Sequence, residues 1–181
     1  HFNMVYLITG SNGLLGQKLL QKFKNIDCEI IATSKGENKK PETGFYRYEN
    51  LDITNQQRVF EVVNKYKPNA IINTAALTNV DWCEDEKELC DHVNTIAVGY
   101  LADVALEVNA HLIHISTDFI FDGQKSLYDE EDTPNPLSYY GKSKLNSEKL
   151  LFNHNCRWSV LRTIVIYGVG KNLEKNNIVI W

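Results

Sequence analysis

Val5-Tyr6-Leu7-Ile8-Thr9 runs without a break into Gly10-Ser11-Asn12-Gly13-Leu14-Leu15-Gly16. An apolar run ends in three glycines spaced three apart, and the apolar spacing then turns helical through Leu15, Leu19, Leu20 and Phe23. A strand feeding a helix through such a turn constrains the fold more than any other feature of this chain. One glycine allows the tight turn, one lets backbone approach a pyrophosphate, and one lets helix and strand pack closely. The helix start then offers unpaired N–H groups and a partial positive charge to an anion. Gly10, Asn12, Gly13, Leu14, Leu15 and Gly16 are therefore candidate cofactor-binding residues.

The pattern repeats down the chain. Strand-like runs at Val5–Thr9, Glu29–Thr33, Ala70–Asn73, His111–Ser116 and Ser159–Thr163 alternate with helical patterns at Leu14–Lys24, Gln56–Lys65, Val93–Val108 and Ser138–Asn153. Short apolar strands separated by helices predict an α/β fold, a doubly wound parallel sheet covered on both faces, of the Rossmann type. With 181 residues the chain is one domain's worth. A net charge of -4 with scattered lysines gives no basic stripe, which argues against nucleic acid as a partner. Cys28, Cys83, Cys90 and Cys156 lack metal-ligand spacing, so no metal is expected and a reduced, cytoplasmic protein is. No apolar run reaches the ~20 residues of a membrane helix.

A second block carries chemistry. Ser116-Thr117-Asp118-Phe119-Ile120-Phe121-Asp122-Gly123 ends an apolar run with hydroxyls, and Tyr140-Gly141-Lys142-Ser143-Lys144 opens a helical pattern. Residues four apart share a helix face, so Tyr140 and Lys144 point into one pocket. An ammonium beside a phenol favours the phenolate, so the tyrosine pKa is expected to fall, suiting proton exchange with an alcohol or carbonyl oxygen.

In their order, these motifs resemble the short-chain dehydrogenase/reductase superfamily, in its extended branch acting on nucleotide sugars, and within it the dTDP-4-dehydrorhamnose reductase group. The Ser116–Gly123 run, the acidic loop ending Pro134-Asn135-Pro136-Leu137, Tyr139-Tyr140-Gly141-Lys142-Ser143-Lys144, Asn73-Thr74-Ala75-Ala76-Leu77-Thr78-Asn79-Val80-Asp81 and Leu161-Arg162-Thr163 carry the likeness, from Met4 to about Gly170. It implies NAD(P)H-dependent reduction of a nucleotide-linked 4-keto-6-deoxy sugar, dTDP-4-dehydrorhamnose to dTDP-L-rhamnose. Tyr140 would be the general acid, and Lys144 would tune it and hold the nicotinamide ribose. Thr117 would donate to the carbonyl oxygen, with Asp118 touching the sugar. Asn94 would help hold the lysine through water, or simply cap its helix.

Further cofactor contacts follow from the same likeness. Asp52 would meet the adenine with Ile53 against the ring, unless Asp52 is an ordinary cap. Small Ala75 and Ala76 would admit the adenosine ribose and pyrophosphate. At the end of the second strand, Ala32-Thr33-Ser34-Lys35 offers a small residue and a cation where an acid would select NAD, so NADP(H) is favoured through Ser34 and Lys35 and NAD(H) is allowed.

Two departures narrow the reading. Lys18 stands where some members carry the glutamate of an intersubunit magnesium site, so a homodimer is admitted but a magnesium-bridged one is not supported. Val165 replaces the tryptophan that some members set against the sugar nucleotide. Residues 4–170 read as the dinucleotide-binding domain with its catalytic residues. His1-Phe2-Asn3 read as an expression remnant, and residues 171–181 as the start of a substrate-binding lobe. A nucleotide-sugar epimerase or dehydratase shares the same motifs, as does a non-catalytic regulatory subunit resembling that of methionine adenosyltransferase.

Overall fold

The computed structural model describes residues 4–39 and 44–170; the expectations for residues 1–3 and 171–181 lie outside them. Six strands, β1 (Val5–Thr9), β2 (Glu29–Ser34), β3 (Arg47–Asn50), β4 (Ala70–Asn73), β5 (His111–Thr117) and β6 (Arg157–Thr163), form one sheet in the order β3-β2-β1-β4-β5-β6. Every pairing is parallel. Helices α1 (Leu14–Phe23), α2 (Gln56–Tyr66), α3 (Val80–Asp85), α4 (Lys87–Asp91), α5 (Ala97–Glu107) and α6 (Tyr139–Phe152) join the strands.

Alternation along each strand divides the core in two. Leu7, Ile31, Ile71 and Leu112 face α2 and α5 through Val59, Val62, Val98 and Leu101. Ile8, Ile30, Ala32 and Ile72 face the other way, onto Leu20 of α1. Central strands buried on both sides are largely apolar, which makes β1 and β4 readable as short apolar runs, each closed at the cleft end by a buried polar residue, Thr9 and Asn73.

Three elements differ from the sequence expectation. The edge strand β3 reads Arg-Tyr-Glu-Asn, too short and polar to stand out, yet it pairs with β2 from Ile31↔Arg47 to Ser34↔Asn50. The single helix expected over Val93–Val108 is instead α4, a wide turn at His92–Ile96, and α5. A widened turn inside a helix is a common device at functional sites, and here it carries Asn94. Helix α3 falls in a stretch with no apolar period, and its start is set by Asn79, whose side chain accepts from Trp82 N at 3.1 Å.

The start of α6 is fixed by two features. Ser138 caps it, accepting from Gly141 N at 3.1 Å. Gly141 lies so close to the chain leaving β5 that a Cβ there would be 2.2 Å from the Phe119 carbonyl oxygen. That contact sets Tyr140 and Lys144 beside the end of β5.

Candidate active site

The sheet order makes β1 and β4 neighbours whose onward connections run to opposite edges, so a crevice opens beyond their C-terminal ends. A cleft of about 680 Å³ occupies that position. Its wall brings together Asn12, Gly13, Leu14, Leu15 and Gly16 with Ser34, Lys35 and Ala76, and on the far side Thr117, Asp118, Tyr140 and Lys144. Gly10, Asp52, Ile53, Ala75 and Asn94 do not line it. A larger depression of about 1090 Å³ shares Asp118, Phe119 and Ile164 but is lined by none of Gly10, Gly13, Gly16, Tyr140 and Lys144. The candidate catalytic side chains gather in the smaller one.

The glycine turn fits a pyrophosphate. A Cβ on Gly16 would sit 2.4 Å from the Gly10 carbonyl oxygen, so packing alone demands glycine there. A Cβ on Gly13 meets only that oxygen at 3.2 Å and otherwise enters the cleft. Gly13 also precedes α1 with no side chain capping its first turn, leaving those N–H groups for an anion. Asn12 serves the turn from the side: its amide donates to Glu37 O at 2.8 Å and accepts from Lys39 N at 2.9 Å. It thereby ties the loop after β2 over the glycines.

Asp52 and Lys35 form one unit. Lys35 Nζ is 2.8 Å from Asp52 Oδ2, and Asp52 Oδ1 accepts from Thr54 N and Oγ1 at 3.0 and 2.7 Å. Burial opposes ionisation of Asp52, but Lys35 and Thr54 outweigh it and hold the carboxyl below its usual range. Ile53 is buried in the core.

At the other end, two adjacent tyrosines are told apart by their partners. Tyr139 donates its hydroxyl to Asp91 at 2.6 Å, and that carboxylate pushes its pKa to about 12. Tyr140 instead lies beside the Thr117 hydroxyl, which favours its ionised form, with its ring edge-on to Phe119 at 5.9 Å. Lys144 is 1% exposed; its Nζ donates to the Ile115 carbonyl at 2.7 Å and lies 3.1 Å from His114 Nε2. Burial brings the lysine pKa down to about 8, against the pull of Glu148 and Cys90.

The expected lowering of Tyr140 by Lys144 is corrected here. Burial raises the phenol pKa; the Thr117 hydroxyl opposes this, and Cys83, Asp118 and Cys90 add to the rise. The ammonium is directed at Ile115 and His114 rather than at the phenol, so desolvation wins. Asn94 spends its amide elsewhere. It accepts from Leu77 N at 2.8 Å and donates to Leu77 O and Ser143 Oγ, both at 3.0 Å, bracing α6 one residue before Lys144.

His114 belongs to none of the sequence motifs, standing only within the strand-like run His111–Ser116. It is fully buried, and its neighbours explain why. Alternate positions His114 and Ser116 on β5 face Lys144, Ser147 and Glu148 on α6, spaced i, i+3, i+4, giving His114–Ser147 and Ser116–Glu148 hydrogen bonds. Arg162 closes the seam with Glu148 at 2.8 Å. Two polar periodicities of 2 and 3.6 in adjacent elements were the available signal.

A glycine turn and a Thr–Tyr–Lys cluster facing one another across a switch-point cleft define a dinucleotide-binding domain of the short-chain dehydrogenase/reductase type. The chain belongs to the family described as RmlD substrate binding domain, whose sequence model matches residues 4–180. It is 40% identical to a dTDP-4-dehydrorhamnose reductase of Aggregatibacter actinomycetemcomitans across 93% of this chain and 54% of that protein. It is 34% identical to the methionine adenosyltransferase 2 subunit beta of Bos taurus across 98% of this chain and 52% of that one. The crystal structure of dTDP-4-dehydrorhamnose reductase from Bacillus anthracis, in complex with NADP, superposes with a TM-score of 0.81 at 34% identity, covering 93% of this chain and 56% of that one. The chain thus spans about half the length of the curated relatives it matches.

Proposed function

We propose that this chain is the cofactor-binding and proton-donating half, residues 4–170, of an NAD(P)H-dependent reductase of a nucleotide-linked 4-keto-6-deoxy sugar, acting in the cytoplasm on dTDP-4-dehydrorhamnose. The observation that carries the reading is the grouping of Thr117, Tyr140 and a buried Lys144 on one wall of the cleft that the glycine turn opens. NADP(H) is favoured, with NAD(H) usable: Ser34 and Lys35 stand at the end of β2 on the cleft wall. The Bacillus anthracis relative, in complex with NADP, supports the same choice.

Gly13 and the first turn of α1 would hold the pyrophosphate, and Lys144 the nicotinamide ribose. The bound nicotinamide would supply hydride to the sugar carbonyl carbon. Thr117 and Tyr140 hold the carbonyl oxygen between two hydroxyls, and Tyr140 gives it a proton. Burial keeps that phenol protonated at neutral pH, the state a reductase needs. Lys144 is still charged below its pKa of about 8, with its ammonium turned toward Ile115 and His114 on the floor of the same cleft. Asp118, on the same wall, is placed to meet the sugar.

The test uses the full-length protein, NADPH and dTDP-4-dehydrorhamnose. The parent should oxidise NADPH, and Tyr140→Phe should lower kcat by ~100-fold or more while leaving cofactor binding near normal. A parent that binds NADPH yet reduces no 4-keto nucleotide sugar would transfer the reading to a non-catalytic subunit, like the second relative. A parent that epimerises or dehydrates the sugar would transfer it to those classes.

A further inference from the structure

A buried ammonium must find acceptors. Among the described residues Lys144 has two: the Ile115 carbonyl and His114 Nε2. Asn94 is occupied with Leu77 and Ser143. His114 is in turn held from β4, where Asn73 Nδ2 lies 3.0 Å from Nδ1 and Asn73 Oδ1 accepts from Thr9 Oγ1 at 2.6 Å. A polar chain Thr9–Asn73–His114–Lys144 therefore crosses three adjacent strands and ends in the cleft, with every member buried.

We propose that His114 is a positioning residue for Lys144: its bare Nε2 accepts from the ammonium and, with the Ile115 carbonyl, fixes Nζ in the cleft shared with Tyr140. The ring hydrogen must then reside on Nδ1. A side-chain amide has the same outline either way round. With the amide nitrogen on Nδ1, the ring hydrogen would move to Nε2, where Ser147 Oγ at 3.0 Å can accept it, and the ammonium at 3.1 Å would face a donor and lose an acceptor, an arrangement suited to a neutral amine. A charged lysine therefore selects the turned amide, with the Asn73 carbonyl accepting from Nδ1–H and Thr9 Oγ1 accepting from the amide. Loss of the lysine proton selects the other orientation. Burial, assisted by the lysine charge, holds the His114 pKa well below its ordinary value, so the ring stays neutral throughout. The groups facing this pair are Tyr140, Ser147 and Glu148 from α6, Cys90 from α4, Asn73 from β4, and Ser116 and Arg162 behind Glu148.

The kinetic consequence rests on the reductase reading; the tautomer does not. Nitrogen-15 NMR of the full-length protein at pH 7 should show His114 with hydrogen on Nδ1 and a bare Nε2. Hydrogen on Nε2 at that pH overturns the proposal, whatever the enzyme does. In His114→Leu, the lysine loses an acceptor, so the alkaline limits of NADPH affinity and of kcat should move about one pH unit lower, the worth of one hydrogen bond to a charged group. His114→Gln, whose side-chain carbonyl oxygen can take the place of Nε2, should restore both limits. If both variants melt earlier but neither limit moves, His114 is only a packed core residue. If NADPH affinity shifts as expected while no sugar is reduced, the positioning role stands and the reductase reading falls.

Discussion

Replacing Lys144 by methionine removes a charge that the fold holds at a cost, and that cost is readable as a pH dependence of stability. The lysine is 1% exposed, and its pKa drops from 10.5 to about 8. Between those values the unfolded chain binds the proton and the folded one has lost it. Raising the pH therefore favours the folded state: the penalty is fully present below the folded pKa and disappears as the unfolded lysine deprotonates too. At about 1.4 kcal/mol per unit the separation is worth about 3 kcal/mol, of which about 2–3 kcal/mol is relieved between about pH 7 and pH 10. Methionine has no proton to titrate, and the orphaned Ile115 carbonyl and His114 Nε2 cost about 1 kcal/mol each at every pH. Urea unfolding of parent and variant at several pH values isolates the lysine, because all other groups cancel in the difference. The variant's stability relative to the parent should fall by about 2–3 kcal/mol from about pH 7 to pH 10, while its dinucleotide affinity is poor throughout. A difference that stays flat within ~0.5 kcal/mol, or rises with pH, would refute a depressed lysine pKa.

Gly13→Val should leave the fold nearly as stable as the parent, since its Cβ meets only one backbone oxygen at 3.2 Å, yet abolish NADPH binding by calorimetry. Gly16→Val, with its Cβ 2.4 Å from backbone, should instead lower the melting temperature sharply; parental NADPH affinity in Gly13→Val would remove the pyrophosphate assignment. Lys35→Ala should weaken NADPH about fivefold and leave NADH nearly unchanged, because an exposed lysine contributes about 1 kcal/mol. Its pairing with Asp52 at 2.8 Å limits the loss further, and equal losses for both cofactors would end the case for a 2′-phosphate contact.

The sheet and the two chemical motifs were legible because each is written in local sequence. β1 and β4 are buried in the sheet centre and largely apolar, the turn packs too closely for a side chain at Gly16, and Tyr140 and Lys144 share a face through helical spacing alone. The polar edge strand β3 left no such trace, because a strand solvated along one side needs little apolar pattern. The widened turn around Asn94 was hidden for a different reason: it rests on contacts with Leu77 and Ser143, far away in sequence.

Proton affinities were the least legible of all. Spacing placed Lys144 near Tyr140 and predicted a lowered phenol. Whether an ammonium acts on its neighbour depends on where it points and how much water each group has lost, and neither is encoded in an interval of four residues. Here the side chain turns toward β5, spends its hydrogens on Ile115 and His114, and leaves burial to raise Tyr140. The same packing makes His114, a residue of β5, the partner of the lysine. Sequence by itself determined the glycine turn and the shared face of Tyr140 and Lys144; tertiary structure decided which named residues reach the cleft, which hydrogen bonds each makes and how much water each one keeps.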